Sequence, residues 1–147
     1  MEITRHAEVT WNGSLLEGSG TINYVSSGAI SRLPVTWASR TEEHNGRTSP
    51  EELLAAAHAS CFSMAFSAQL AKNGTAATQL DTKAVVTFAK GDAGWSIAKS
   101  TLTVSGTVPG IDQAKFAELA EAAKDGCPVS RALSADVEVA VEATLVG

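Results

Sequence analysis

The chain has 147 residues, 44% hydrophobic and 18% charged, which excludes a disordered chain and suits one globular domain, or at most two small lobes sharing a core. Lys and Arg number 11 against 16 Asp and Glu, for a net charge of −5. That balance builds no basic face for a nucleic-acid backbone or an anionic membrane surface, so neither is expected as a partner.

Residues 1–6 lack a basic region followed by an apolar one, so no secretion signal is read there and a cytoplasmic protein is expected. Residues 6–11 alternate polar and apolar, and Asn12-Gly13 is a hairpin signal. A second strand is predicted over residues 21–25, after the break at residues 18–20. A short third strand covers residues 33–37, where Pro34 confines it to an edge or a strand end. Residues 40–49 read as a polar loop with Asn45-Gly46 at its tip.

The pattern then changes to a long helix. Ser49 suits the N-cap, Pro50 the first helical position, and Glu52 the third position of a capping box. From residue 53 to 70 nearly every position is apolar or small, which predicts a helix buried on all sides. Asn73-Gly74 ends it. Its apolar run, residues 53–68, falls short of the ~20 residues of a membrane span and is interrupted by His58, Ser60, Ser63 and Ser67. A domain of this size has trouble surrounding a helix roughly 35 Å long, so an obligate dimer is expected, with the helix near its centre.

Residues 80–88 and 95–108 are β-rich and joined by residues 91–94, a hairpin. Asp112 N-caps a second helix, with Ile111 and Phe116 at the staple positions, and Gly126 stops it. Residues 136–145 alternate cleanly, as a strand with one wet face does. Strands joined as hairpins, without βαβ crossovers, predict an α+β fold with antiparallel sheets around a long buried central helix. No repeat, low-complexity tract or linker interrupts the chain, so residues 1–147 are read as one domain.

The chemistry falls on two cysteines. They are too few for a secreted disulfide scaffold, which leaves inert core or redox and catalytic work. A lone Cys on an apolar helix, as Cys61 is, serves most often as a small hydrophobe. Cys127 lies between Gly126 and Pro128, where it can N-cap a short helix over residues 128–133. Free N–H groups there favour a thiolate, so local chemistry alone makes Cys127 the more acidic thiol. Cys61 is too far along its helix to feel that helix's dipole and needs a cation from elsewhere. Arg40 is the best candidate, with Arg32, Arg47 and Arg131 as alternatives. Glu51 is not needed for the capping box and is freer than Glu52 to act.

The histidines His6, His44 and His58 are scattered, and no H-x-x-x-H or C-x-x-C spacing exists, so no metal is expected. His58 lies three residues before Cys61, so a Cys61–His58 hydrolase pair is a second reading. A third is a non-catalytic redox-sensing or binding dimer. No nucleotide-binding or serine-hydrolase signature occurs.

The stretch SPEELLAAAHASCFSMAFS, residues 49–67, resembles the first cysteine motif of the OsmC/Ohr family. Those names stand for osmotically inducible protein C and organic hydroperoxide resistance protein. GCPVS, residues 126–130, resembles the family's second cysteine motif. The resemblance extends over essentially the whole chain, including Trp11-Asn12-Gly13 and the Val108-Pro109-Gly110-Ile111-Asp112 turn. The HASCFSMA wording and an arginine after the Trp37 strand are similar to the OsmC branch.

The resemblance implies an intertwined homodimer with active sites at the subunit interface. It implies a thiol-dependent peroxidase acting on organic hydroperoxides and hydrogen peroxide, in oxidative or osmotic stress defence. By this match Cys61 is the peroxidatic thiol, Cys127 the resolving thiol that closes an internal disulfide, and Arg40 and Glu51 the active-site ion pair. No metal, haem or other cofactor takes part; an external dithiol, lipoyl-type in this family, restores the thiols. The chemistry is coherent, since peroxide cleavage needs a thiolate, a cation to hold it and polarisation of the departing oxygen.

Helix geometry adds one expectation. Glu51 and Cys61 are ten residues apart, ~15 Å of rise and roughly 280° of rotation on a straight helix. A Glu side chain cannot cross that gap, so a site using both takes Glu51 from the partner subunit.

Overall fold

Three strands, β1 (Ala7–Asn12), β2 (Ser19–Val25) and β3 (Ser31–Val35), form an antiparallel sheet in that order. β1 falls where alternation places it; β2 starts two residues earlier, through Ser19 and Gly20 of the expected break, and β3 covers residues 31–35 rather than 33–37 because Trp37 already begins a helix. The loop after β1 is longer than a two-residue hairpin, because the break residues Gly13 and Gly18 close it through Gly18 N–H to the Ser14 carbonyl. Pro34 sits on β3, an edge strand, where its missing N–H breaks no ladder. These are features of a computed structural model that describes residues 1–147.

The chain divides into two compact units, Met1–Leu53 and Leu54–Gly147. In the first, β3 is followed by a one-turn helix, α1 (Trp37–Thr41). Arg40 therefore leaves a helix rather than a strand or polar loop. The cause is a capping box: Thr36 Oγ1 accepts from Ser39 N–H, and Ser39 Oγ accepts from Thr36 N–H, both at 3.0 Å. The turn that follows has Asn45 and Gly46 at its centre, both at positive φ, with Arg47 N–H donating to the His44 carbonyl.

Helix α2 (Pro50–Lys72) starts at the close of the first unit and runs through the second. Ser49 Oγ accepts from Glu52 N–H at 3.1 Å, the serine half of the expected box. The second unit carries β4 (Gln79–Gly91), β5 (Gly94–Thr107), α3 (Gln113–Gly126), α4 (Pro128–Leu133) and β6 (Glu138–Leu145). Its sheet has the order β4-β5-β6. The α+β class holds, but the sheet is mixed. β4 and β5 form the expected hairpin, whereas β6 runs parallel to β5. α3 and α4 together make the crossover that a parallel neighbour requires.

The core of the second unit gathers Phe62, Phe66 and Leu70 of α2, Leu102 and Val104 of β5, Phe116, Leu119, Ala120 and Ala123 of α3, and Cys127. Phe66 packs on Phe62 and on Phe116, with ring centroids 5.6 and 4.9 Å apart. On α2 the buried residues His58, Phe62, Phe66 and Leu70 recur every fourth position.

Burial on all sides is not what a single chain gives α2. Ala56, Ala57, Ser60, Met64, Ser67 and Ala68 are exposed, Met64 by 72%. The chain uses one stripe of the helix for its core and leaves a small, apolar face open. The span estimate also needs correcting. At 23 residues, α2 is the one helix long and apolar enough to cross a membrane by length and composition. Pro50, Glu51 and Glu52 extend the helix beyond the apolar run at one end, and Gln69, Leu70, Ala71 and Lys72 at the other.

Gly106 on β5 sits under Phe116 of α3. A Cβ there would lie 2.7 Å from the Phe116 ring and 2.9 Å from Leu80. Gly106→Ala should therefore push α3 off the sheet and cost about 1–3 kcal/mol, read as a lower denaturant midpoint with an unchanged slope.

Candidate active site

Cys127 is fixed by its backbone. It ends α3 and begins α4: its N–H donates to the Ala123 carbonyl at 2.8 Å and its carbonyl accepts from Arg131 N–H at 3.0 Å. Pro128 occupies the first turn of α4, where no N–H is needed. The Cys127 side chain is fully buried in the core, while Cys61 is half-buried and packs against that same core. Both are free thiols, close enough that each alters the other's ionisation.

The two environments differ. Burial pushes the Cys61 thiol up; the Val129 N–H offsets part of this, and Cys127 raises it further. Burial opposes ionisation of Cys127 too. There, however, the Ser130 N–H and hydroxyl, the Cys61 thiol and the Val129 N–H outweigh it, and the thiol is held below its ordinary value. Each thiol acts on the other in opposite senses, Cys127 raising Cys61 and Cys61 lowering Cys127. The local expectation for Cys127 as the more acidic thiol is met.

In the first unit, Arg40 and Glu51 form a close ion pair. Arg40 Nε lies 2.9 and 3.1 Å from the two carboxylate oxygens, and a terminal guanidinium nitrogen lies 2.7 Å from Oε1. Glu51 is buried, and the Arg40 guanidinium stands 5.8 Å from the centroid of a Trp37 ring. Ser39 Oγ donates to the Thr48 carbonyl at 2.9 Å, tying α1 to the segment that opens α2. Of the candidate arginines, only Arg40 meets Glu51. Arg32 is exposed on β3 at φ 57°, Arg47 is exposed on the Asn-Gly turn, and Arg131 is exposed on α4.

His58 does not serve Cys61. It is fully buried, with Nδ1 2.6 Å from Ser100 Oγ and Nε2 2.8 Å from Ser130 Oγ. Both ring nitrogens are committed to hydroxyls, which removes the base that a Cys61–His58 hydrolase needs. Sequence reasoning gave Ser100 and Ser130 no part. Ser130 lies within the GCPVS motif and could have been singled out; Ser100 is one serine in a β-rich run, and nothing local marks it.

This fold and paired-thiol arrangement define a class. Residues 43–142 match the family described as OsmC-like protein. The chain belongs to the OsmC family. It is 42% identical over 137 residues to Peroxiredoxin OsmC of Escherichia coli (strain K12), covering 93% of this chain and 94% of that protein. The match to Peroxiredoxin OsmC of Shigella flexneri has the same values. Among solved structures, the organic hydroperoxide resistance protein OhrB of Bacillus subtilis superposes with a TM-score of 0.73 at 26% identity, over 95% of this chain and 98% of that one. An OsmC-like protein of unknown function from Vibrio cholerae shares the fold, with a TM-score of 0.72 at 19% identity over 97% and 99% of the two chains.

Burial holds the His58 imidazole below its ordinary value of 6.5. Below that pH the unfolded chain takes up the proton while the folded chain resists it, so stability falls with falling pH. The denaturant midpoint should drop between pH 7.5 and 5.5, and His58→Gln should flatten that dependence.

Proposed function

We propose that this chain is a peroxidase that detoxifies hydroperoxides through Cys61 and Cys127. The observation that carries this reading is the meeting of two free thiols in a chain 42% identical to Peroxiredoxin OsmC. Cys61 is the thiol a substrate can reach, since Cys127 is sealed in the core. The Cys61 thiolate attacks a peroxide oxygen, the O–O bond breaks, and the alkoxide leaves as alcohol after taking a proton. Cys61 becomes a sulfenic acid. Cys127 then attacks that sulfur, closing a disulfide and releasing water. An external dithiol, of dihydrolipoyl type, returns both thiols and leaves as its own disulfide.

A peroxidatic thiolate at Cys61 needs a cation to hold it. Arg40, held by the Glu51 carboxylate, is the group suited to that task. In this reading the protein is a cytoplasmic homodimer, with Arg40 and Glu51 of one copy serving Cys61 of the other. The exposed small-residue face of α2 and the exposed Val9, Trp11 and Tyr24 are surfaces that a second copy would cover. No resident metal or organic cofactor enters the scheme.

A peroxide-consumption assay tests the reading, comparing cumene-type and fatty-acid hydroperoxides with hydrogen peroxide. Turnover is expected with dihydrolipoamide and not with thioredoxin, and it should vanish in Cys61→Ser. Cys127→Ser should be oxidised once and then stop. Turnover that survives Cys61→Ser would defeat the proposal.

Mixed dimers of Glu51→Ala and Cys61→Ser chains test the exchange between copies. A verified heterodimer should keep one working site, about half the wild-type rate, because one Glu51 still faces one Cys61. Complete loss of activity would place Glu51 in its own chain's site.

A further inference from the structure

The peroxidase scheme uses Cys61, Cys127, Arg40 and Glu51. It leaves unexplained why a fully buried histidine is fastened at both ends. His58 is held by Ser100 Oγ at 2.6 Å and Ser130 Oγ at 2.8 Å, residues brought from β5 and α4. Ser130 is itself buried and occupies the third position of the helix that Cys127 opens, one turn along from the Cys127 side chain, and its N–H and hydroxyl are among the groups that lower the Cys127 thiol. The four groups thus form one buried row: Ser100, His58, Ser130, Cys127.

We propose that His58 is a positioning residue for the resolving step, orienting the Ser130 hydroxyl so that its proton points at the Cys127 sulfur. The inference rests on reading Cys127 as the resolving thiol. Its logic is hydrogen-bond accounting. Burial keeps the imidazole neutral, so one ring nitrogen donates and the other accepts. With Nδ1 accepting from the Ser100 hydroxyl, Nε2–H donates to Ser130 Oγ. The Ser130 oxygen then has its acceptor role filled, and its own O–H is free to donate to sulfur. With the opposite tautomer, Ser130 would donate to Nε2 and have no proton left for the thiolate.

The row therefore prepares Cys127 to react. Cys127 gives up its proton, and the resulting thiolate is held by the Ser130 O–H and the Ser130 and Val129 N–H groups. The thiolate attacks the Cys61 sulfenic sulfur, the S–S bond forms, and the S–O bond breaks. Hydroxide leaves and, with the proton Cys127 released, becomes water. His58 touches neither sulfur; it acts through Ser130.

The test separates the two half-steps in the full-length protein. Each enzyme is mixed with one equivalent of cumene hydroperoxide without reductant. Loss of free Cys61 reports oxidation, and a sulfenic-acid trap competing with disulfide formation reports resolution. Ser130→Ala should slow disulfide formation about tenfold or more, with the trapped adduct accumulating, while Ser130→Thr should restore resolution. His58→Leu should slow resolution by a similar factor, and the double variant should be no slower than either single one. The wild-type protein supplies an independent reading: ¹⁵N-histidine spectra of the reduced enzyme should show the proton of His58 on Nε2. A wild type that never forms the disulfide defeats the peroxidase reading itself. A wild type that does, with Ser130→Ala resolving at the same rate or with His58 protonated on Nδ1, defeats this inference alone.

Discussion

Removing a thiolate from water is costly, and the second unit is built around meeting that cost at one atom. Cys127 is sealed among Ala120, Ala123, Phe62 and the other core side chains, where an unsupported charge could not persist. Support comes from the joint between α3 and α4. Gly126 ends one helix and Pro128 starts the next, so Cys127 faces a fresh set of N–H groups that no preceding turn has used. Those groups and the Ser130 hydroxyl outweigh burial. The remaining parts of the fold serve this joint: β5 and β6 flank the crossover that carries it, and α2 brings Cys61 and His58 up to it.

The other charged feature is of a different kind. Arg40 and Glu51 satisfy each other through parallel contacts, with Glu51 buried and Arg40 partly open. A carboxylate that engages a guanidinium in this way fixes the plane of the remaining donors as well as the charge. The capping box at Thr36 and Ser39, together with the Ser39 bond to the Thr48 carbonyl, makes that plane a property of the backbone.

Much of this was legible from residue order. Local rules placed the strands to within about two residues, the Asn45-Gly46 turn and the starts of α2 and α3, because caps and alternation act within a few residues. What escaped needed contacts between distant segments. The parallel seat of β6 depends on α3 and α4 acting as a crossover, and alternation in residues 136–145 is the same for either direction. The helix at Arg40 depends on a serine in the role usually filled by Glu or Gln. The four-group row through His58 joins positions 42 and 72 residues apart, which no spacing rule anticipates. Local chemistry favours Cys127 as the more acidic thiol; the difference in exposure, with Cys61 half-buried and Cys127 sealed, is visible only in the folded chain.

The parallel seat of β6 also sets an order of assembly. β4 and β5 are neighbours in sequence and can zip as soon as both exist, whereas β6 must wait for the whole crossover to be synthesised and folded back. Cys127 lies inside that crossover. The sheet thus closes in two stages, a local hairpin first and a long-range parallel seat second, and the α3–α4 joint is locked between strand and helix only at the second.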